Sequence, residues 1–195
     1  MKNLSKKILT AFLAIALFAL SACGSSGDNN NTQPTEKLKQ YETDYVSISY
    51  PQDWELIEKK DFPVGAPAST IVMFKANVKN ELFVTNVNFA HSALSETKNS
   101  IDYGKQVIAN QKAILQNYTE INRSEIEISI SGKTEKATLI AFEGKRTATD
   151  PAIRFIQLYA VKDTQAYIAT AAMLPTEEKS IQLSAEDVVR SLKIK

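Results

Sequence analysis

Alternation of apolar and polar side chains at the head of "EIEISISGKTEKATLIAFEGK", residues 125–145, constrains the fold more than any other feature of the chain. Ile126, Ile128 and Ile130 point one way while Glu125, Glu127 and Ser129 point the other, and a period of two belongs to an extended strand. Gly132-Lys133 supplies a turn, and Leu139 and Phe142 lie in the return strand, so the segment reads as a β-hairpin. "AIRFIQLYAVKDTQAYIATAAML" reads as a second hairpin with its turn at Asp163-Thr164-Gln165. Upstream, "YVSISY" sets Val46, Ile48 and Tyr50 on one face, and Pro51 ends it before "WELIEK". "STIVMFKA" and "ELFVTNVNFA" follow as strands, the second with Phe83, Thr85, Val87 and Phe89 on one side.

Two segments change to helical spacing. In "SIDYGKQVIANQKAILQNY" Ser100 is placed to cap and Asp102 suits the positive end of the helix dipole. Ile101, Val107, Ile108, Ile114, Leu115 and Tyr118 fall on one half of the circumference, interrupted by Gly104 and Gln111. The glycine reads as a point of close approach; the glutamine has no account in the sequence. Ser184 and Asp187 have capping-box spacing ahead of Val188, Val189 and Leu192, which predicts a closing helix. Long antiparallel strands with few helices point to an α+β fold.

The 195 residues also hold something besides this domain. Residues 1–22 run from a basic start, MKNLSKK, through an apolar stretch from Ile8 to Leu20 to small residues, the layout of an export signal. Thirteen residues rise only about 20 Å as a helix, short of a roughly 30 Å hydrocarbon core. The single cysteine, Cys23, follows directly in "LSAC". Residues 23–40, "CGSSGDNNNTQPTEKLKQ", carry almost no large apolar side chain and read as a flexible tether, which leaves 41–195 as the domain. Without Lys2, Lys6 and Lys7 the formal charge passes from +1 to −2, with later lysines interleaved among acids, so nucleic acid is not an expected partner.

"LSAC" resembles a bacterial lipobox, which implies a lipid on the Cys23 sulfur, cleavage before Cys23 and membrane attachment through the acyl chains. The succession "YVSISYPQDWEL", the helix "IDYGKQVIANQKAILQNY", "ISISGKTEKATLIAFEG", "IRFIQLYAVKDTQAYIATAA" and a terminal "VVRSLKI" resembles the PsbP/Mog1-like superfamily, and most of all its small bacterial lipoproteins. The resemblance implies an antiparallel sheet with flanking helices. It implies no activity and transfers no site residue, because members range from photosystem partners to a GTPase-binding protein. Gly24 after the cysteine carries no inner-membrane retention signal, which points to the outer membrane in a cell with two membranes.

Chemistry-bearing residues are sparse. His91 is the sole histidine, with Glu96 the nearest acid, and reads as a surface or loop-end residue. No G-x-S-x-G elbow, zinc-ligand set, calcium loop or glycine-rich phosphate loop accompanies it, so no catalytic residue, cofactor or metal is expected. Glu125 and Glu127 share a strand face and read as its solvated side. Trp54 beside Tyr50 reads as a core filler ahead of a ligand platform. The loops "KKDFPVGAPAST" and "EGKRTATDPA" are long for hairpin connections; Lys59 and Lys60 in one, and Lys145 and Arg146 in the other, are candidates for a small basic surface that meets a partner. The expectation is a lipid-anchored envelope protein that binds another protein or assists assembly, with a small-ligand module and then an enzyme as the alternatives.

Overall fold

The computed structural model describes residues 37–78 and 80–195. Ten strands form one sheet: β1 (Leu38–Glu42), β2 (Val46–Pro51), β3 (Glu55–Glu58), β4 (Thr70–Lys75), β5 (Asn86–Ala93), β6 (Gln116–Ile130), β7 (Lys133–Lys145), β8 (Ile153–Lys162), β9 (Gln165–Met173) and β10 (Lys193–Ile194). The helices are α1 (Ser100–Ile114) and α2 (Lys179–Arg190). The strand order is β1-β2-β10-β6-β7-β8-β9-β5-β4-β3.

Both hairpins form, each with its turn one residue earlier or shorter than the sequence suggests. The first turns at Ser131 and Gly132, whose φ values of 51° and 76° supply the left-handed pair that a two-residue hairpin needs. The second turns at Asp163 and Thr164, with Gln165 already paired to Lys162. The sheet is mixed in place of purely antiparallel, because β10 runs parallel to β6 at Ile194 and Ile130. It is also curled. β2 lies near one edge of the strand order and β3 is the other edge, yet only Gln52–Trp54 join them. Four extended steps of chain span roughly 14 Å at most, so the two margins must approach each other. Tyr50 and Phe74 meet across that fold with ring centroids 4.5 Å apart, and Tyr41 meets Phe74 at 6.1 Å.

The central strands are buried on both sides, which is why their sequences read as almost continuous apolar runs. Ile156, Leu158 and Ala160 of β8 join one core with Tyr50, Trp54, Phe74 and the α2 residues Ala185, Val188 and Val189. Phe155 and Tyr159 of the same strand join a second core with Phe83 and the α1 residues Tyr103, Val107 and Ile108. Each buried large side chain contributes roughly 1.5–3 kcal/mol by leaving water.

Several local expectations change. The domain's first strand takes in Leu38, Lys39 and Gln40 from the expected tether; an edge strand is held by backbone pairing and can stay exposed, as Leu38 is at 60%. The strand expected over 81–90 begins only at Asn86, and Phe83 passes into the second core. α1 is capped by Asn99 instead of Ser100, its Oδ1 accepting from Asp102 N–H at 2.8 Å. It stops at Ile114 because Leu115 turns extended, so Tyr118 lies in β6. Ser184 and Asp187 form no capping box: α2 starts at Lys179, and Ser184 is buried in its middle. Gly104 is the expected point of close approach, since a Cβ there would lie 2.7 Å from Thr138 Oγ1.

Candidate functional site

Strand register divides the sheet's surface into two ends. Pairing of Glu55 with Lys75, Lys75 with Asn86, Asn86 with Ala172, Met173 with Arg154 and Ile153 with Gly144 places the Lys145–Arg146 loop at one of them. β1 starts at this end too, because Leu38 pairs with Pro51 just before Glu55. The Lys59–Lys60 turn follows Glu58 at the other end, with Ala93, Gln165 and Lys162. The four basic residues therefore do not form one surface. Lys60 pairs with Glu58 at 3.5 Å, and Arg146 with Asp150 at 3.2 Å.

The end opposite the start of β1 carries an aromatic stack. The His91 ring stands 4.9 Å from that of Tyr167, its cross-strand neighbour, and 5.5 Å from that of Tyr45, which the β1–β2 connection brings over the sheet. His91 is thus a strand residue in β5, not a loop-end one. Its Nε2 and the Oγ of Ser69 are buried with no hydrogen-bond partner among the described residues. His91 N–H donates to Ser69 O at 2.9 Å, so the two residues are cross-strand neighbours. Burial, followed by Tyr45 and Asp163, pushes the Tyr167 hydroxyl above its ordinary pKa. Tyr45 is 37% exposed and Val64, at the tip of the neighbouring loop, is fully exposed. The arrangement offers stacking surface and two buried polar atoms that no described residue bonds.

A second polar group lies inside the fold, and it accounts for Gln111. The Gln111 amide donates to Gln157 Oε1 at 2.6 Å, Gln157 donates to Thr170 Oγ1 at 3.0 Å, and the Tyr159 hydroxyl lies 3.0 Å from Gln111 Oε1 and against Gln157 Oε1. All four are buried. Mutual satisfaction makes this a structural tie between α1, β8 and β9. The one signal for it in the sequence is a glutamine on the apolar half of a helix.

The remaining candidates sort plainly. Trp54 and Tyr50 are core residues. Glu125 and Glu127 are exposed on β6, with Glu125 paired to Lys136 at 3.2 Å. No group of three His, Cys, Asp or Glu among the described residues is placed to hold a metal. No helix among the described residues is long and apolar enough to cross a membrane. Cys23 lies outside the described residues.

With the fold in view, the chain is seen to have a PsbP-like architecture. It is similar to the solution structure of cyanobacterial PsbP (CyanoP) from Synechocystis sp. PCC 6803, with a TM-score of 0.55 at 13% identity, over 90% of this chain and 99% of that one. It is also similar to LpqN, described as involved in cell envelope biogenesis of Mycobacterium tuberculosis, with a TM-score of 0.56 at 11% identity, over 84% of this chain and 87% of that one. A Pseudomonas aeruginosa protein of unknown function matches with a TM-score of 0.51 at 13% identity, over 79% and 94% of the two chains. No family model and no curated protein matches the sequence. At these identities the likeness is one of fold.

Proposed function

We propose that this is a lipid-anchored protein of the bacterial cell envelope whose PsbP-like domain binds another protein and performs no chemistry of its own. The observation that carries the reading is polarity of the fold: β1 begins at one end of the sheet, and the exposed Tyr45, the stacked His91 and the tip residue Val64 gather at the other. A chain anchored through Cys23 is tethered from the first end and presents the second. The likeness to LpqN, itself tied to envelope biogenesis, agrees with this setting. In a cell with two membranes, Gly24 after the cysteine favours the outer one.

Two measurements test the reading. Labelled fatty acid should enter the wild-type protein and carry it into the detergent phase, and Cys23→Ser should lose both; unchanged membrane association of that variant would overturn the anchor. A photocrosslinking residue at position 45, 59 or 60 should trap one discrete envelope protein in intact cells more strongly than the same residue at 145 or 146. Equal trapping at both ends defeats the assignment of the presenting end. A small-ligand reading draws on His91 Nε2 and Ser69 Oγ, which have no partner among the described residues; it requires a metabolite that raises the melting temperature in wild type and fails to do so in His91→Phe.

A further inference from the structure

The strand order hides an unusual length of open edge. On the side of β6 away from β7, the described residues supply a single partner, β10, which pairs only at Ile130. Ser131 N–H donates to Ile194 O at 2.7 Å, so the odd-numbered amides of this strand point towards that edge. Counting back along the regular part of β6, Ser129, Glu127, Glu125 and Arg123 direct their N–H and C=O groups outward, while Ser124, Ile126 and Ile128 bond to β7. Register shifts between Glu120 and Asn122 and again between Gln116 and Thr119 end the straight edge at Asn122. In the parallel contact Ile194 N–H donates to the Ser129 carbonyl, so among the described residues six, Arg123–Ile128, form the free edge, roughly 20 Å long. Exposure agrees: Asn122, Arg123, Glu125 and Glu127 are all exposed.

The two faces beside this edge differ in character. On one, Arg123, Glu125 and Glu127 project together; Arg123 is paired with Glu120 and Lys136 with Glu125, while Glu127 has no ion-pair partner among the described residues. On the other, Ile128 is buried in the first core and Ile126 packs against it from the margin. A strand laid against Arg123–Ile128 would therefore meet carboxylates with alternate side chains and the rim of an apolar core with the others.

We infer that the outer edge of β6 is the docking site for an extended segment of the partner protein, carrying Lys or Arg at alternate positions to face Glu125 and Glu127 and apolar residues between them to cover Ile126 and Ile128. The inference rests on the reading of the domain as a protein-binding module and names the kind of segment it takes. Backbone pairing supplies the attachment, and the carboxylates set register, because a one-residue slip turns every basic side chain onto the apolar face. Without a partner the charges and bulges keep the edge from pairing with itself.

An octapeptide alternating lysine and valine is the probe, added to the full chain in detergent while exchange of individual amides is followed. Exchange at Arg123, Glu125 and Glu127 should slow by about tenfold or more, with Ser124, Ile126 and Ile128 little changed, since the latter are already bonded. Glu127→Pro removes an outward donor that the β6–β7 ladder does not use and should abolish the effect. Should that variant unfold, Glu125→Lys with Glu127→Lys changes only exposed side chains and should abolish it equally, while a glutamate–valine peptide should leave wild type unprotected. Slowing at odd and even residues alike, slowing elsewhere, or binding that survives charge reversal overturns the inference. If these fail while crosslinking from position 45 still traps a partner, the docking edge is wrong and the binding module stands.

Discussion

Gln111 donates to Gln157 Oε1 at 2.6 Å, a hydrogen bond between two buried side chains 46 residues apart that fixes α1 over β8. It sits within an otherwise apolar layer, where an unpaired amide costs more than a paired one gains. Gln111→Leu should lower unfolding free energy by about 1–3 kcal/mol, because the Gln157 oxygen loses a donor and Tyr159 an acceptor. Replacing both glutamines by leucine removes donor and acceptor together and should cost less than the two single changes added, although Thr170 and the Tyr159 hydroxyl then lose their partners. Urea midpoints of the two single variants and the double variant measure the difference; strict additivity would show that the two amides do not depend on each other.

Contact between α1 and the sheet depends on Gly104. A methyl group there meets Thr138 Oγ1 at 2.7 Å and Thr138 Cβ at 2.8 Å, and the second of these is fixed to the strand. Gly104→Ala should therefore destabilise by about 1–3 kcal/mol in spite of alanine's better helix propensity. Removing the hydroxyl and γ-methyl with Thr138→Ala relieves only part of the clash, so the pair should recover partly. Thermal melts of the four proteins decide; a Gly104→Ala protein at least as stable as wild type would mean that α1 rides freely over β7.

What the sequence discloses follows from the range of the interactions involved. Alternation around Ile126–Ile130 and the apolar runs of β8 and β9 are local consequences of which face meets a core, and the hairpins can be read from them directly. β10 cannot, since two residues, Lys193 and Ile194, are too few for a pattern, and its parallel contact with Ile130 depends on how α2 returns the chain. Likewise the lysines at 59 and 60 look equivalent to Lys145 and Arg146 as loop cations until the register of six strands sends them to opposite ends. Gln111 shows itself as an exception on an apolar face, but its partners lie in strands more than forty residues onward. The open edge of β6 is of the same kind: Glu125 and Glu127 mark a solvated face, and only the strand order reveals that no described strand pairs with their outward backbone groups.

Alkali should loosen the domain through Tyr118. Its ring stacks on Phe142 at 5.1 Å and its hydroxyl is buried with no hydrogen-bond partner among the described residues. Burial, then the nearby Glu120, pushes that hydroxyl up to about 12, against 10.0 for a free tyrosine. The folded state thus holds the proton where the unfolded state has released it, so the stabilisation is complete below pH 10 and declines as pH climbs from about 10 to about 12. Tyr118→Phe should flatten this decline, though Tyr103 and Tyr159, also raised by burial, leave part of it in place. Near neutral pH the variant should match wild type or exceed it, since it discards an unsatisfied group. Urea titrations at several pH values between neutrality and strong alkali compare the slopes; parallel curves for the two proteins would remove Tyr118 from the account.

Ser191, the residue after α2, substitutes for a strand beside β2. Its hydroxyl accepts from Ser49 N–H at 2.9 Å and lies 3.0 Å from Ser49 O and 2.7 Å from Val188 O. A hydroxyl has one proton to give, so it donates to one of these carbonyls while the amide is satisfied throughout. This contact continues the pairing of β2 that β10 makes at Val46 and Ser47, and it locks the end of α2 against the sheet. Ser191→Ala should leave Ser49 N–H without a partner at a half-buried position and cost about 1–2 kcal/mol, while Ser191→Thr, which retains the hydroxyl, should cost less. Amide exchange gives the sharper reading, because loss of the bond should speed Ser49 selectively ahead of Val46, whose N–H has its own acceptor in Thr43 Oγ1 at 3.1 Å. Uniform acceleration along β2 would instead show that Ser191 acts on the whole margin of the sheet and not on this one amide.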